Sequence, residues 1–135
     1  MDQTEFNSHI IPKLISKFPQ FENLCSNTPD NIVEIDWKSP KGLLTLRLTT
    51  RDMEITVGFT KNTYLDWHTH MSMFGANTLS EEFDIAVQII DNIINNKEKI
   101  LYSNLTGYSI VDEIEDFEKY KKDNEIVEIF FWKDL

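Results

Sequence analysis

The sequence is short of cysteine, glycine, long apolar runs and basic residues, and each shortage narrows what the chain can be. Cysteine occurs once, at Cys25, so no intramolecular disulfide can staple the fold. A lone thiol matches a reducing compartment, and the expected location is the cytoplasm. Glycine occurs four times, at Gly42, Gly58, Gly75 and Gly107, always isolated. Phosphate-cradling loops and dinucleotide fingerprints need clustered glycines, so nucleotide binding is not expected. No apolar stretch approaches the roughly 20 residues that a bilayer-crossing helix requires. The opening MDQTEFNSHIIPKL also lacks the basic start and unbroken apolar run of a secretory signal, so no membrane contact is expected. Basic residues number 13 against 23 acidic ones, a net charge of −10. Such a surface repels phosphate backbones, which argues against nucleic-acid binding, and it steers basic proteins toward itself.

The acidic excess is uneven. Residues 1–62 hold seven basic and eight acidic groups, a net of −1, whereas residues 63–135 hold six and fifteen, a net of −9. The 135 residues fit one domain, 1–135, with no repeat or linker to divide it. Nine Phe, three Trp and four Tyr supply bulky core material.

Phe6, Ile10, Leu14 and Phe18 recur every four residues and predict an amphipathic helix capped by Asp2 and Glu5. Pro12 is expected to kink or restart it, and Pro19 to end it. Residues 20–31 read as a loop. Period-2 alternation over 32–37, 43–50 and 53–59 predicts three strands, and the short connectors 39–42 and 49–52 make them a β-meander with one polar face. Residues 60–77 read as irregular. Thr78 with Glu81 opens a second helix to about Asn95, whose inward stripe is Phe83, Ala86, Val87, Ile90, Ile93 and Ile94. Residues 100–105 form a predicted strand closed by Thr106 and Gly107. Ser109 is expected to open a third helix with Ile110, Ile114 and Phe117 inward, its acids first and lysines last as the helix dipole favours. IVEIFFWKDL (126–135) is expected to end the chain as a strand, with its Ile129–Trp132 run apolar on both faces. The expected fold is α+β: an antiparallel sheet of four or five strands, the meander plus one or two more, with helices packed mainly on one face.

Few residues carry a chemistry. His68 and His70, two apart, share one face of an extended segment, and with Asp66 they offer two nitrogens and a carboxylate of the kind zinc takes. A catalytic zinc needs three protein ligands with outer support, and the only other histidine, His9, lies in the first helix. Trp67, Met71, Met73 and Phe74 beside this pair are adaptable contact groups or a plug for the end of the sheet. Cys25 has no basic neighbour in sequence to lower its pKa. Asp112, Glu113, Glu115, Asp116 and Glu118 put five acids within seven residues. Such a run is most often a solvated helix face, and it can also meet the basic groove of a nucleic-acid-acting protein by imitating phosphate spacing.

The order of these elements carries a resemblance: an amphipathic N-terminal helix, a meander ending in EITVGF (54–59), HTH at 68–70, a long helix with an acidic cap, and an aromatic end with Trp132. It resembles the small immunity proteins of bacterial polymorphic-toxin and contact-dependent inhibition systems. The resemblance implies a non-enzymatic binding protein, a monomer or weak homo-oligomer without cofactor or metal. Its partner would be a cognate, basic, often nuclease toxin domain whose active site or substrate groove it occludes. The expected contact residues are the five acids of 112–118, for attraction, with Trp67, His68 and His70 as an anchoring patch. The alternative is a small metal-binding protein or metal-dependent hydrolase using Asp66, His68 and His70.

Overall fold

Apolar residues at every second position of three consecutive segments drive the centre of the molecule to form a sheet with one buried face. A computed structural model describes residues 1–61, 65–110 and 121–135, and resolves this sheet as five antiparallel strands in sequential order: β1 (Cys25–Asn27), β2 (Val33–Lys38), β3 (Thr45–Thr49), β4 (Thr56–Thr60) and β5 (Leu65–His70). Ile35, Leu48 and Val57 stand opposite one another across the ladder, as do Leu46 and Phe59, and these five are essentially sealed from solvent. The predicted meander is therefore present, but it gains a strand on each side. Cys25–Asn27, expected as loop, pairs with β2 after a 3₁₀ segment, Pro19–Leu24. Leu65–His70, expected as irregular, pairs with β4. Asp66 is the extra residue of a β-bulge there, since Trp67 faces Phe59 while Leu65 faces Thr60.

Among the described residues two helices cover the buried face. The first, α1 (Gln3–Lys17), starts where Asp2 accepts the Glu5 N–H at 2.9 Å, and inserts Phe6, Ile10 and Leu14 into the core. It runs unbroken through Pro12, with no restart. The proline and Ser8, whose carbonyl loses its helical donor, both lie on the exposed side, where water can take the partner's place. The second, α2 (Leu79–Ile94), is capped by Thr78, whose hydroxyl accepts the Glu81 N–H at 3.1 Å. Its Ala86, Ile90 and Ile93 join Phe6, Ile10 and the inward strand residues in one continuous core. Removing that apolar surface from water at about 25 cal/mol per Å² is what holds the layers together.

A second antiparallel sheet, in the order β7 (Gly107–Ser109), β6 (Ile100–Ser103), β8 (Val127–Phe130), closes the fold. Ser109 is the last residue of β7, paired with Leu101. The expected third helix, with Ile114 and Phe117, falls mostly on residues 111–120 and lies outside the described residues. Strand β8 stops at Phe130, and residues Trp132–Asp134 turn into a 3₁₀ segment that buries Trp132 edge-on against Trp37, their rings 6.4 Å apart. The Leu135 carbonyl oxygen then accepts N–H groups from Lys41 and Leu43, tying this segment to the β2–β3 connection. The architecture is thus α+β. No helix among the described residues is long and apolar enough to cross a membrane.

Candidate functional site

The alternation that buries one face of the five-stranded sheet aims the intervening side chains outward. Across the ladder these form two rows: Glu34, Thr49, Thr56 and His70 in one, and Asp36, Arg47, Gly58 and His68 in the other. This polar face surrounds a hollow of about 430 Å³ between β2–β5 and the turn 51–54, into which Arg47, Thr56, His68 and His70 all project. Arg47 is anchored by a two-pronged ion pair to Asp36, Nε to Oδ1 at 2.7 Å and an Nη to Oδ2 at 2.8 Å. This hydrogen-bonded carboxylate, ahead of the opposing cost of burial, raises the Arg47 pKa and keeps the guanidinium charged.

His68 and His70 share this face, as their spacing predicts, with rings edge-on and centroids 5.2 Å apart. Nδ1 of His70 lies 2.9 Å from the Thr56 hydroxyl and 3.7 Å from a Glu54 carboxylate oxygen. Glu54 in turn accepts the Ser72 N–H at 3.0 Å and the Ser72 hydroxyl. Burial pushes the Glu54 carboxyl up, but the two Ser72 hydrogen bonds and the neighbouring His70 outweigh it and hold the group below the usual carboxylate range. The Thr56 hydroxyl and the Glu54 carboxylate both meet the same ring nitrogen, so the three groups do not form a hydroxyl–imidazole–carboxylate relay, which needs its two partners on opposite nitrogens. Thr56 is also only 6% exposed, in an interior strand of the sheet. The arrangement locks β4, β5 and the following turn together and presents the imidazoles as contact groups.

The remaining sequence candidates separate. Trp67 lies on the opposite face, half-buried, its ring 5.1 Å from that of Phe59, so the sheet itself divides Trp67 from the two histidines. Asp66, turned by the bulge, accepts the Tyr108 N–H at 3.3 Å and packs against Gly107. It therefore points toward the second sheet instead of toward His68 and His70. Among the described residues no group of three His, Cys, Asp or Glu side chains is placed to hold a metal ion. Asp112, Glu113, Glu115, Asp116 and Glu118 lie outside the described residues. Cys25 is a free, partly covered thiol whose Sγ donates to the Phe21 carbonyl, and burial followed by the nearby Glu22 charge raises its pKa.

Two residues that reading the sequence passed over matter more. Glu54, taken only as part of a strand, links His70 to Ser72. Glu82 is 8% exposed, and its Oε1 accepts the Ile55 N–H at 2.9 Å, fastening the first turn of α2 to the start of β4. Its signal was present: Glu82, Ala86, Ile90 and Ile93 follow the helical repeat, so a carboxylate occupies the first position of the buried stripe. Burial, reinforced by the Glu54 charge and opposed by the Ile55 hydrogen bond and His70, raises the Glu82 pKa. Comparison of the chain with protein-family models, curated proteins and solved structures found no match.

Proposed function

We propose that this chain is a binding protein that neutralises a cognate bacterial toxin domain, in the manner of a small immunity protein, by covering its active site or substrate groove. The observation that carries the reading is the charge: −10 over 135 residues, with −9 of it in residues 63–135. That half supplies β5, α2 and the whole second sheet. A domain so charged accelerates encounter with a basic enzyme and discourages association with other acidic proteins. The polar face of the five-stranded sheet supports the reading as well. It offers His68, His70 and the anchored Arg47–Asp36 pair on one rigid surface, which limits the side-chain ordering that binding would otherwise cost.

The experiment is growth of cells expressing the toxin domain of a toxin-like reading frame sought beside this chain's gene, with and without the chain, joined to association kinetics of the purified pair. The reading expects rescued growth and an association rate that falls roughly tenfold or more between low and high salt. A toxin that kills equally well in the presence of the folded chain would end the reading.

A further inference from the structure

His68 and His70 are the two side chains of the polar sheet face that can offer a neutral nitrogen. Both line the hollow of about 430 Å³ between β2–β5 and the turn 51–54, and their rings meet edge-on with centroids 5.2 Å apart. The neighbours of His70 select which of its nitrogens is available. The Thr56 hydroxyl at 2.9 Å and the Glu54 carboxylate at 3.7 Å both lie against Nδ1. A carboxylate beside that nitrogen favours the proton there and leaves the lone pair on Nε2. Metal-bound imidazoles have the same outer arrangement: the nitrogen away from the ion donates to a carboxylate or another oxygen, which fixes the tautomer and the ring. His68 makes no hydrogen bond among the described residues, so its ring nitrogens are open.

From this pair we infer a binding site for one divalent late transition ion, zinc being the example tested, held by a nitrogen of His68 and by Nε2 of His70. The inference is argued from the sheet face alone and does not rest on the proposed binding function. Asp66 takes no part in it, because that carboxylate points toward the second sheet. The separation of the rings suits the ion. Zinc–nitrogen bonds of about 2.0–2.1 Å put the metal roughly 3.2 Å from the centre of each imidazole. Centroids 5.2 Å apart then subtend an angle of about 109° at the metal, the value tetrahedral zinc prefers. The surroundings favour a cation over an anion. Among the described residues Glu34, Asp52 and Glu54 line the hollow against Arg47 and Arg51, and Arg47 is already tied to Asp36. Imidazole nitrogen selects zinc, nickel or copper over magnesium and calcium, which take oxygen. Two protein ligands leave the remaining positions to water or to a donor brought by another molecule, in keeping with the lack of a third ligating side chain among the described residues.

The test titrates zinc sulfate into the intact chain, purified without a histidine tag, by calorimetry and by NMR of the imidazole carbons. Saturable binding is expected, with the His68 and His70 rings shifting and His9, exposed on α1, unmoved. His68→Ala, at an exposed position that tolerates the change, and His70→Gln, whose amide can still bond Thr56, each remove a ligand. Each should weaken zinc by at least the roughly 10–100-fold that loss of an outer partner costs. Glu54→Gln, which takes the charge from beside Nδ1, should weaken it roughly tenfold. His9→Ala should leave the affinity unchanged, and magnesium sulfate should move neither ring. The site would be overturned by the absence of saturable zinc binding or by an affinity unaltered in His68→Ala. Loss of binding in His9→Ala, or an equal response to magnesium, which assigns the ion to surface carboxylates, would overturn it as well.

Discussion

Gly58 sits at the middle of β4, an interior strand, paired with Arg47 on one side and His68 on the other, and it makes a sharp prediction. A methyl group added there would lie 2.5 Å from the Trp67 carbonyl oxygen, 3.0 Å from a Leu65 methyl and 3.1 Å from the His68 Cβ. Attractive contacts between such atoms sit at roughly 3.5–4.0 Å, so the first is a collision of close to 1 Å. The obstacle is backbone on the partner strand, and relief requires β4 and β5 to separate just where the bulge at Asp66 already breaks their register. Overpacking of this kind costs about 1–3 kcal/mol, and a rigid obstacle puts Gly58→Ala at the upper end. The lower entropy of the unfolded alanine chain returns about 0.4–1 kcal/mol. A net loss of about 2 kcal/mol lowers the melting temperature of a domain this size by roughly 6–10 °C. Calorimetry of the purified variant checks it, with the His68 ring shifts reporting displacement of the polar face. A melting temperature within about 2 °C of the parent, with His68 undisturbed, would refute the close packing of β4 on β5.

Glu82 and Glu54 should act oppositely on stability. Glu82 has a folded pKa above its unfolded value, so the folded state holds its proton longer and stability falls as pH rises from the ordinary glutamate range through that raised value. Glu82→Gln should therefore be more stable than the parent at neutral pH and converge with it below about pH 4, as read from urea midpoints. Glu54 has a lowered folded pKa, so its contribution is present at neutral pH and lost as pH falls through that lowered value, and Glu54→Gln should lower the neutral-pH midpoint. Thr78→Ala removes the hydroxyl that caps α2 and should cost about 1 kcal/mol in the same urea titration, while Thr78→Ser should restore it. Burial and the Glu22 charge keep the Cys25 thiol protonated, so its reaction with a disulfide reagent at pH 7 should be slower than that of the unfolded chain. Equal rates would contradict the placement of that side chain.

The elements legible in the sequence were those where one periodicity governs a long stretch. The four-residue repeat from Phe6 to Phe18 and the alternation through Ile35, Leu46, Leu48, Val57 and Phe59 both survive folding unchanged, as do the caps at Asp2 and Thr78. The misreadings fall on short or interrupted strands. Cys25–Asn27 has only three residues at a sheet edge, with Ser26 and Asn27 exposed, so it carries no alternation. In Leu65–His70 the bulge at Asp66 shifts the pattern, and the well-covered inward position is a threonine, Thr69, which hides the strand from a hydrophobicity reading. Ser109 has the chemistry of a helix cap, but pairing with Leu101 holds it in a strand. The candidate site was legible only where spacing alone decides it. His68 and His70 share a face because they are two apart, whereas the links among Glu54, His70 and Ser72 depend on a strand and a turn 18 residues apart being brought together.

Charge reversal within the acidic half bears most directly on the account. The association rate of the cognate toxin domain should be measured as a function of salt, for the parent chain and for the triple variant Glu113→Lys, Glu115→Lys, Asp116→Lys. A binding protein that steers a basic partner predicts a rate at least tenfold slower for the variant at low salt, the two converging as salt screens the field. Identical rates for the two chains at every salt concentration would contradict it.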